Sequence, residues 1–171
     1  LIAIARKKGF SQIRISGNEP TLCREHLLEV LSLVPREFRF ILETNGILLG
    51  QEADYAANLA AFPNLHVRVG IKGASAEEFS RLTGAQPAAF ALQLAALQNL
   101  IAAGVSSHPA VMVSFSSADN LKTLRNQLAT ISPHYRDFEA EEVVLYGDTG
   151  KRLTKANLLN SESHSPLPTK M

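Results

Sequence analysis

Apolar residues along the chain follow two alternating patterns, one typical of strands and one typical of helices. Short runs rich in β-branched residues predict strands at Gln12–Ser16, Arg39–Glu43, Leu65–Lys72, Ala110–Phe115 and Glu142–Tyr146. Apolar residues at helical spacing predict helices at Arg24–Leu33, Glu52–Ala61, Ala76–Leu82 continuing into Ala88–Ala103, and Asn120–Ile131. Because a helical stretch follows each predicted strand, we expect an α/β fold with a parallel sheet and outer helices.

The third predicted strand differs from the others in the polarity of one face. His66, Arg68 and Gly70 alternate with apolar residues, so one side of this strand carries polar or minimal side chains. In a curved sheet or a barrel, such a face lines a cavity.

Length, composition and charge limit the class of protein. A chain of 171 residues that is 46% hydrophobic suits one domain with a sizeable core. We expect this domain over residues 1–150, followed over 151–171 by a short amphipathic segment and a loose polar tail. Its 17 basic and 16 acidic residues are scattered, which argues against nucleic acid and membrane partners. With no spanning stretch and no secretory pattern, a cytoplasmic location is expected.

Polar residues gather at the carboxyl ends of the predicted strands. In parallel α/β sheets these ends meet at one edge, the carboxyl rim, where ligands bind. The segments at this rim are SGNEP at 16–20, ETNG at 43–46, KG at 72–73, SFSS at 114–117 and YGD at 146–148. They contain ordinary turn residues, yet together they offer carboxylates, amides, hydroxyls and a lysine. The rim therefore suits a zwitterionic or polyhydroxyl ligand.

Three of these segments resemble motifs of one enzyme family. Residues 16–22, SGNEPTL, resemble the Gly-Gly-Glu-Pro motif of radical S-adenosylmethionine (radical SAM) enzymes. Residues 43–46 resemble the Asp/Glu-Thr-Asn-Gly segment of the branch that includes the pyruvate formate-lyase activating enzyme, and residues 69–73, VGIKG, are similar to the third matching strand. Order and spacing agree over roughly residues 1–146. The resemblance implies a partial (β/α) barrel with about five parallel strands.

The resemblance implies that the loop after the first strand holds the methionine amino group of S-adenosylmethionine. Gly17, Asn18 and Glu19, followed by Pro20, match the motif. Contact is expected largely through backbone carbonyls and the Glu19 carboxylate. Asn18 stands where the family has a second glycine, and because asparagine tolerates left-handed backbone angles, we expect the turn to form.

Two further segments complete the site that the resemblance implies. Thr44 and Asn45 are expected near the methionine carboxylate, and Lys72 is expected to pair with that carboxylate or to reach the ribose. Glu43, together with Thr44, is a candidate cation site, as the corresponding acid is in the activating enzymes. No catalytic residue is assigned.

The cysteine count bears on the family's second cofactor. Radical SAM enzymes bind a [4Fe-4S] cluster through three cysteines in a Cys-x3-Cys-x2-Cys loop, whereas this chain has one cysteine, Cys23. The chain also begins, at Leu1, in a stretch typical of the later part of a helix. We expect a fragment that lacks the cluster loop, binds no cluster and is inactive alone; a degenerate relative that never bound a cluster is the alternative. Loss of the first strand would expose a sheet edge and favour a dimer.

The resemblance also implies a function for the full-length protein. It would cleave S-adenosylmethionine reductively to a 5′-deoxyadenosyl radical for hydrogen abstraction, with an electron from an external donor. The substrate is a small molecule or a glycyl-radical protein that the enzyme activates. Two alternatives stay open: a non-redox binding module for an amino acid or a nucleotide at the same rim, and a lyase or aldolase that uses Lys72 as a Schiff-base amine.

Four other residues are interpreted individually. Cys23 is expected to be a small buried hydrophobic residue, and His108, just before the fourth strand, a structural residue on the opposite rim. Met112 is expected in the core. Tyr146, at the end of the fifth strand, is a candidate for stacking near the adenine. The histidines show no metal-ligand spacing.

Overall fold

The computed structural model describes residues 1–158 and contains a parallel sheet in that range. Its strands are β1 (Gln12–Ile15), β2 (Arg39–Thr44), β3 (Leu65–Lys72), β4 (Ser107–Met112) and β5 (Glu139–Glu141). They lie side by side in chain order, and each neighbouring pair runs parallel.

Helices connect the strands and surround the sheet. They are α1 (Ile2–Lys7), α2 (Arg24–Leu33), α3 (Ile47–Gln51), α4 (Ala53–Leu59), α5 (Ala76–Thr83), α6 (Ala89–Ala102), α7 (Ala118–Ile131) and α8 (Thr149–Lys155), with short 3-10 turns at Pro20–Leu22 and Pro133–Arg136. The predicted α/β fold with five parallel strands and outer helices is confirmed, and it is compatible with a partial (β/α) barrel.

The central strand, β3, shows how the sequence produces the layers of the fold. Val67, Val69 and Ile71 are fully buried in the hydrophobic core, which the surrounding helices complete. The intervening side chains, among them Arg68 and Lys72, are partly buried and alternate with them on the opposite face. Because these two border a cavity, the prediction that the polar face of this strand lines one is confirmed.

Strands β4 and β5 begin earlier than the apolar runs predicted. The fourth strand is confirmed, but its predicted bounds of 110–115 were wrong, because β4 lies at 107–112; the fifth prediction, 142–146, was wrong, because β5 lies at 139–141. The register aligns Lys72 with Met112, and Met112 with Glu141, so the acidic residues of β5 share a sheet face with the cations of β3. Charge pairing across strands, rather than the apolar run at 143–145, positions β5.

A helix that the sequence did not predict, α3, packs closely against α6. Gly50 lies in α3, and a Cβ atom at this residue would be 1.9 Å from the carbonyl oxygen of Leu92 in α6. Asn99 of α6 donates a hydrogen bond to the carbonyl of Leu49 at 2.8 Å. The close approach requires glycine, because the opposing group is backbone and cannot rotate away.

The remaining predictions about the organisation of the chain concern a dimer, the domain boundary and the polar tail. β1 lies at one edge of the sheet, and the dimer expected through this edge stays a prediction. The domain division at 150/151 also stays a prediction. Helix α8 overlaps the predicted amphipathic segment, and the polar tail from residue 160 lies outside the described residues. No helix within residues 1–158 is long and apolar enough to cross a membrane.

We predict that Gly50→Ala lowers the free energy of unfolding by about 3 kcal/mol or more, because the added methyl group displaces α3 from α6. Gly150→Ala is the matched control: it lies in α8, and no atom outside that helix's own backbone lies within 4 Å of a Cβ built there. Little change or a small gain is expected for the control. Urea denaturation measures both, and equal stability of the two variants would contradict the close packing of α3 on α6.

Candidate functional site

A cavity of about 200 Å³, called the rim cavity below, opens at the carboxyl rim of the sheet. It is lined by Gly17, Asn18, Glu19, Glu43, Thr44, Asn45, Arg68, Gly70, Lys72 and Glu141. Six of the seven predicted cofactor-binding residues are among these, and Pro20 is not. The structure thus brings the predicted residues together, while their role in binding stays a prediction. The volume is below the roughly 300 Å³ at which whole-ligand pockets begin, so the cavity suits one end of a cofactor.

The Glu19 carboxylate joins the loop after β1 to the end of β2. Its Oε1 accepts hydrogen bonds from the hydroxyls of Thr44 at 2.6 Å and Thr21 at 2.7 Å, and from the Thr21 backbone N–H at 3.1 Å. Its Oε2 accepts one from the backbone N–H of Asn45 at 2.7 Å. Because a carboxylate oxygen has about two lone pairs, Oε1 is saturated, whereas Oε2 retains capacity for a ligand donor.

The loop after β1 adopts backbone angles that few residues tolerate. The φ angle is +90° at Gly17 and +49° at Asn18. Glycine has no Cβ atom to clash in this region, and asparagine is among the few other residues that adopt it. The expected turn therefore forms with Asn18 in place of the family's second glycine.

Charged side chains on the polar face of the sheet form a connected group, called the sheet-face network below: Arg14, Glu43, Arg68, Lys72, Glu139 and Glu141. Arg68 is its centre, because its Nε and Nη2 donate to Glu139 at 2.9 and 2.8 Å and its Nη2 also donates to Glu141 at 2.7 Å. Lys72 Nζ donates to the other oxygen of Glu141 at 2.7 Å. The network thus joins side chains of four strands, β1, β2, β3 and β5, and reaches the rim cavity.

Hydrogen bonds from neighbouring side chains lower the pKa values of Glu139 and Glu141. The bonds from Arg68 and then from His108 lower the pKa of Glu139 to about 2. Burial raises the pKa of Glu141, but the bonds from Lys72 and Arg68 outweigh it and leave the pKa below its usual value. Sequence reasoning missed both glutamates because it misplaced β5. It also left Arg68 without a role, although the alternation along β3 signalled its position.

Away from the rim, the polar face ends in a histidine pair. His66 Nε2 lies 2.6 Å from His108 Nδ1, and His66 Nδ1 lies 2.8 Å from the Ser106 hydroxyl. His108 Nε2 lies 2.8 Å from Glu139 Oε2. His108 is the second residue of β4 rather than a residue before the strand, and neither histidine borders the rim cavity. A sequence separation of 42 residues concealed this pair.

Three residues lie elsewhere than the sequence predicted. Cys23 is exposed at the N-cap of α2 and is not a buried hydrophobic residue, because Thr21 takes the buried position in this segment. Tyr146 is 64% exposed and lies beyond β5 rather than at its end. Met112, expected in the core, is partly buried.

The donor set of the rim cavity fits the amino-acid end of S-adenosylmethionine. A carboxylate with a free lone pair, at Glu19, suits an ammonium group, and the Lys72 ammonium suits a carboxylate. An iron–sulfur cluster does not fit, because it needs several thiolates and the chain has one cysteine. Within residues 1–158, no group of three or more His, Cys, Asp or Glu side chains is placed to hold a metal ion.

Comparison with known protein families identifies the class of the chain. The profile of the Radical SAM superfamily matches residues 1–126, a stretch from α1 into α7 that contains β1 to β4. The chain therefore belongs to the radical SAM superfamily. No curated protein matched the sequence. Members of this superfamily are enzymes that carry out radical chemistry and typically bind S-adenosylmethionine and a [4Fe-4S] cluster.

We predict that the free energy of unfolding falls as the pH is lowered from 7 to 5. Burial, followed by the charges of Arg39 and His108, lowers the pKa of His66 to about 4 from its ordinary 6.5. The unfolded chain binds a proton at this imidazole from about pH 6.5, but the folded chain does so only near pH 4, so stability present above pH 6.5 is lost through this window.

His66→Gln should remove most of this pH dependence of the free energy of unfolding. His26→Gln, at an exposed position of α2, should retain it. Urea denaturation at several pH values measures both variants. A parent chain with the same free energy of unfolding at both ends of the window would show that His66 does not resist protonation.

Proposed function

We propose that the rim cavity binds the amino-acid end of S-adenosylmethionine and that the chain is the core of a radical SAM enzyme. The observation that carries this proposal is the Glu19 carboxylate. Its bonds to Thr44 and to the backbone of Asn45 unite the two motifs that resemble cofactor-binding segments of the family. Lys72, from the third motif, borders the same cavity.

The proposal assigns a role to five of the residues that line the rim cavity. The ligand ammonium group donates to Glu19 Oε2, the oxygen with remaining capacity, and to backbone carbonyls of Gly17 and Asn18. The ligand carboxylate binds Lys72. Asn45 lies beside it: because its Oδ1 accepts from the backbone N–H of Ile47 at 2.9 Å, its amide NH₂ serves as a donor.

The chain's own residues bind and orient the cofactor, and the radical chemistry needs more than this chain holds. In this superfamily, S-adenosylmethionine bound beside a reduced cluster supplies a radical that abstracts hydrogen. Because one cysteine cannot hold such a cluster, we infer that its thiolates come from outside these 171 residues and that this chain alone is inactive. The electron comes from an external donor.

A finer proposal places the protein in the branch that activates glycyl-radical enzymes. Its support is the ETNG segment at 43–46, and it makes a glycyl-radical protein a candidate substrate beside a small molecule. The cation site at Glu43 and Thr44 belongs to the same proposal. Glu43 Oε1 accepts a hydrogen bond from Arg14 at 2.5 Å and the Thr44 hydroxyl donates to Glu19, so a cation would compete with the guanidinium for Glu43 Oε1.

A non-redox binding module is the second candidate, and the single cysteine favours it. In that case the same cavity holds an amino acid or a nucleotide without a cluster. The lyase alternative has less support. Its Schiff-base chemistry needs a desolvated amine, whereas Lys72 is ion-paired with Glu141 and its side chain is 42% exposed.

We predict saturable binding of S-adenosylmethionine to this chain and a loss of about tenfold or more in affinity for Lys72→Met, because the ligand carboxylate loses its charged donor. Lys122→Met, at an exposed position of α7, is the matched control and should stay within about twofold of the parent. Isothermal titration calorimetry measures the Kd of each. Unchanged affinity in Lys72→Met would contradict the assigned carboxylate position, and no binding at all would contradict the proposal.

We predict that anaerobic reconstitution with iron and sulfide leaves the 171-residue chain without [4Fe-4S] absorbance. The product of the whole gene, treated alike, should bind about four irons and form 5′-deoxyadenosine from S-adenosylmethionine and a reductant. A stable cluster on the 171-residue chain would contradict the inference of outside thiolates. A whole-gene product with neither cluster nor deoxyadenosine would favour the binding module.

The branch assignment is read from the same preparation by electron paramagnetic resonance. A glycyl radical that forms on an added glycyl-radical enzyme supports the activase proposal. Hydrogen abstraction from a small molecule, with no radical on the protein, would assign the other substrate class.

A further inference from the structure

Glu141 lies between two cations at the rim cavity. Its Oε1 accepts a hydrogen bond from Arg68 Nη2, and its Oε2 accepts one from Lys72 Nζ, each at 2.7 Å. We propose that Glu141 sets how strongly the cavity selects a carboxylate: it occupies Lys72, so a ligand carboxylate must displace it, and the selectivity that Lys72 provides is reduced. This inference rests on the function proposed above and concerns the same cavity.

Of the two cations that bind Glu141, Lys72 is the one that can leave it for a ligand. Arg68 is 11% exposed and is held by two bonds to Glu139 as well as by its bond to Glu141. Lys72 has a flexible stem, its side chain is 42% exposed, and its ion-pair partner is Glu141. A partly exposed ion pair contributes little net stability, so Lys72 can leave Glu141 at small cost.

Lys72 can change partner without movement of the sheet. A Cβ atom built at Gly70 would lie 3.9 Å from Lys72 Nζ and 3.7 Å from the carbonyl oxygen of Thr44. The ammonium group therefore folds back over Gly70, into the space that the missing side chain leaves, and this space belongs to the rim cavity. A ligand that enters the cavity meets the ammonium group there.

Glu141 stays charged when Lys72 leaves it, because Arg68 continues to donate to its other oxygen. A ligand carboxylate on Lys72 then lies close to a second carboxylate, and the repulsion between them reduces the affinity. A neutral ligand group gains too little from Lys72 to break the ion pair. Glu141 thus lowers the affinity for a carboxylate ligand and has little effect on a ligand that lacks the carboxylate.

The experiment compares two ligands that differ in the carboxylate alone, S-adenosylmethionine and its decarboxylated analogue. Their ratio of Kd values, analogue over parent ligand, isolates the carboxylate contribution, because effects of Glu141 on the ammonium and sulfonium groups are common to both. Glu141→Gln should raise this ratio about tenfold, since an amide keeps the shape but removes the competing charge. Lys72→Met should bring the ratio to within about twofold of one.

Glu139→Gln is the matched control. Glu139 lies on the same strand and binds the same Arg68, but it neither contacts Lys72 nor lines the cavity. The ratio of Kd values for Glu139→Gln should stay within about twofold of the ratio for the unsubstituted chain. Glu141→Ala is a second variant with the same expected direction, and circular dichroism confirms that each variant is folded.

The outcomes separate this inference from the proposed function. Binding of S-adenosylmethionine with a ratio that Glu141→Gln leaves unchanged or lowers would overturn the role of Glu141 and leave the proposed function standing. A ratio that rises equally in Glu139→Gln would also overturn it, because the effect would then be one of general charge. If the parent chain shows no saturable binding of S-adenosylmethionine, the proposed function fails, and this inference with it.

Discussion

A buried guanidinium on the polar face of β3 is the constraint on which the sheet face and the rim cavity depend. Arg68 is 11% exposed, and a charge so buried destabilises a fold unless it is paired and hydrogen-bonded. Its partners come from both sides of the strand: Glu139 and Glu141 on β5, and Glu43 on β2 at 3.9 Å. Strand β5 has three residues and none of them is buried, so these ion pairs, more than apolar contact, hold it in register.

The pairing around Arg68 leaves the rim cavity with a particular distribution of charge. Glu43 and Glu141 are each compensated by an arginine. Glu19 differs from them, because the donors that hold it are hydroxyl and backbone N–H groups, which fix its position without cancelling its charge. With Lys72 as the cation that can exchange partners, the cavity presents separated negative and positive groups, the complement of a zwitterionic amino-acid end.

Patterns of neighbouring residues predicted the elements whose bounds depend on those residues alone. β3 and α2 have the predicted bounds, since strict alternation and helical spacing are strong signals. The strand-end segments around Glu19 and Asn45 meet in the cavity because parallel topology alone brings them to one edge. The sequence did not reveal β5: an apolar run after it gave the stronger local signal, while the charge partners of its glutamates lie far away in the sequence.

The two faces of the sheet respond to substitution by different rules. The helix-covered face is apolar, and an exchange of similar volume there costs little. The other face carries a hydrogen-bonded series in which each member satisfies the next: Ser106, His66, His108, Glu139, Arg68, Glu141 and Lys72. Removal of Arg68 would destabilise the fold, because Glu139 and Glu141 would each lose a hydrogen-bonded cation and keep His108 and Lys72, respectively, as partners. Replacement of Arg68 together with its acidic partners by apolar residues would avoid this cost, because no charge would stay buried without a partner. It would also remove the carboxylate that binds Lys72. Stability and ligand choice therefore depend on the same ion pairs, and a change that preserves the fold on this face need not preserve the charge distribution of the cavity.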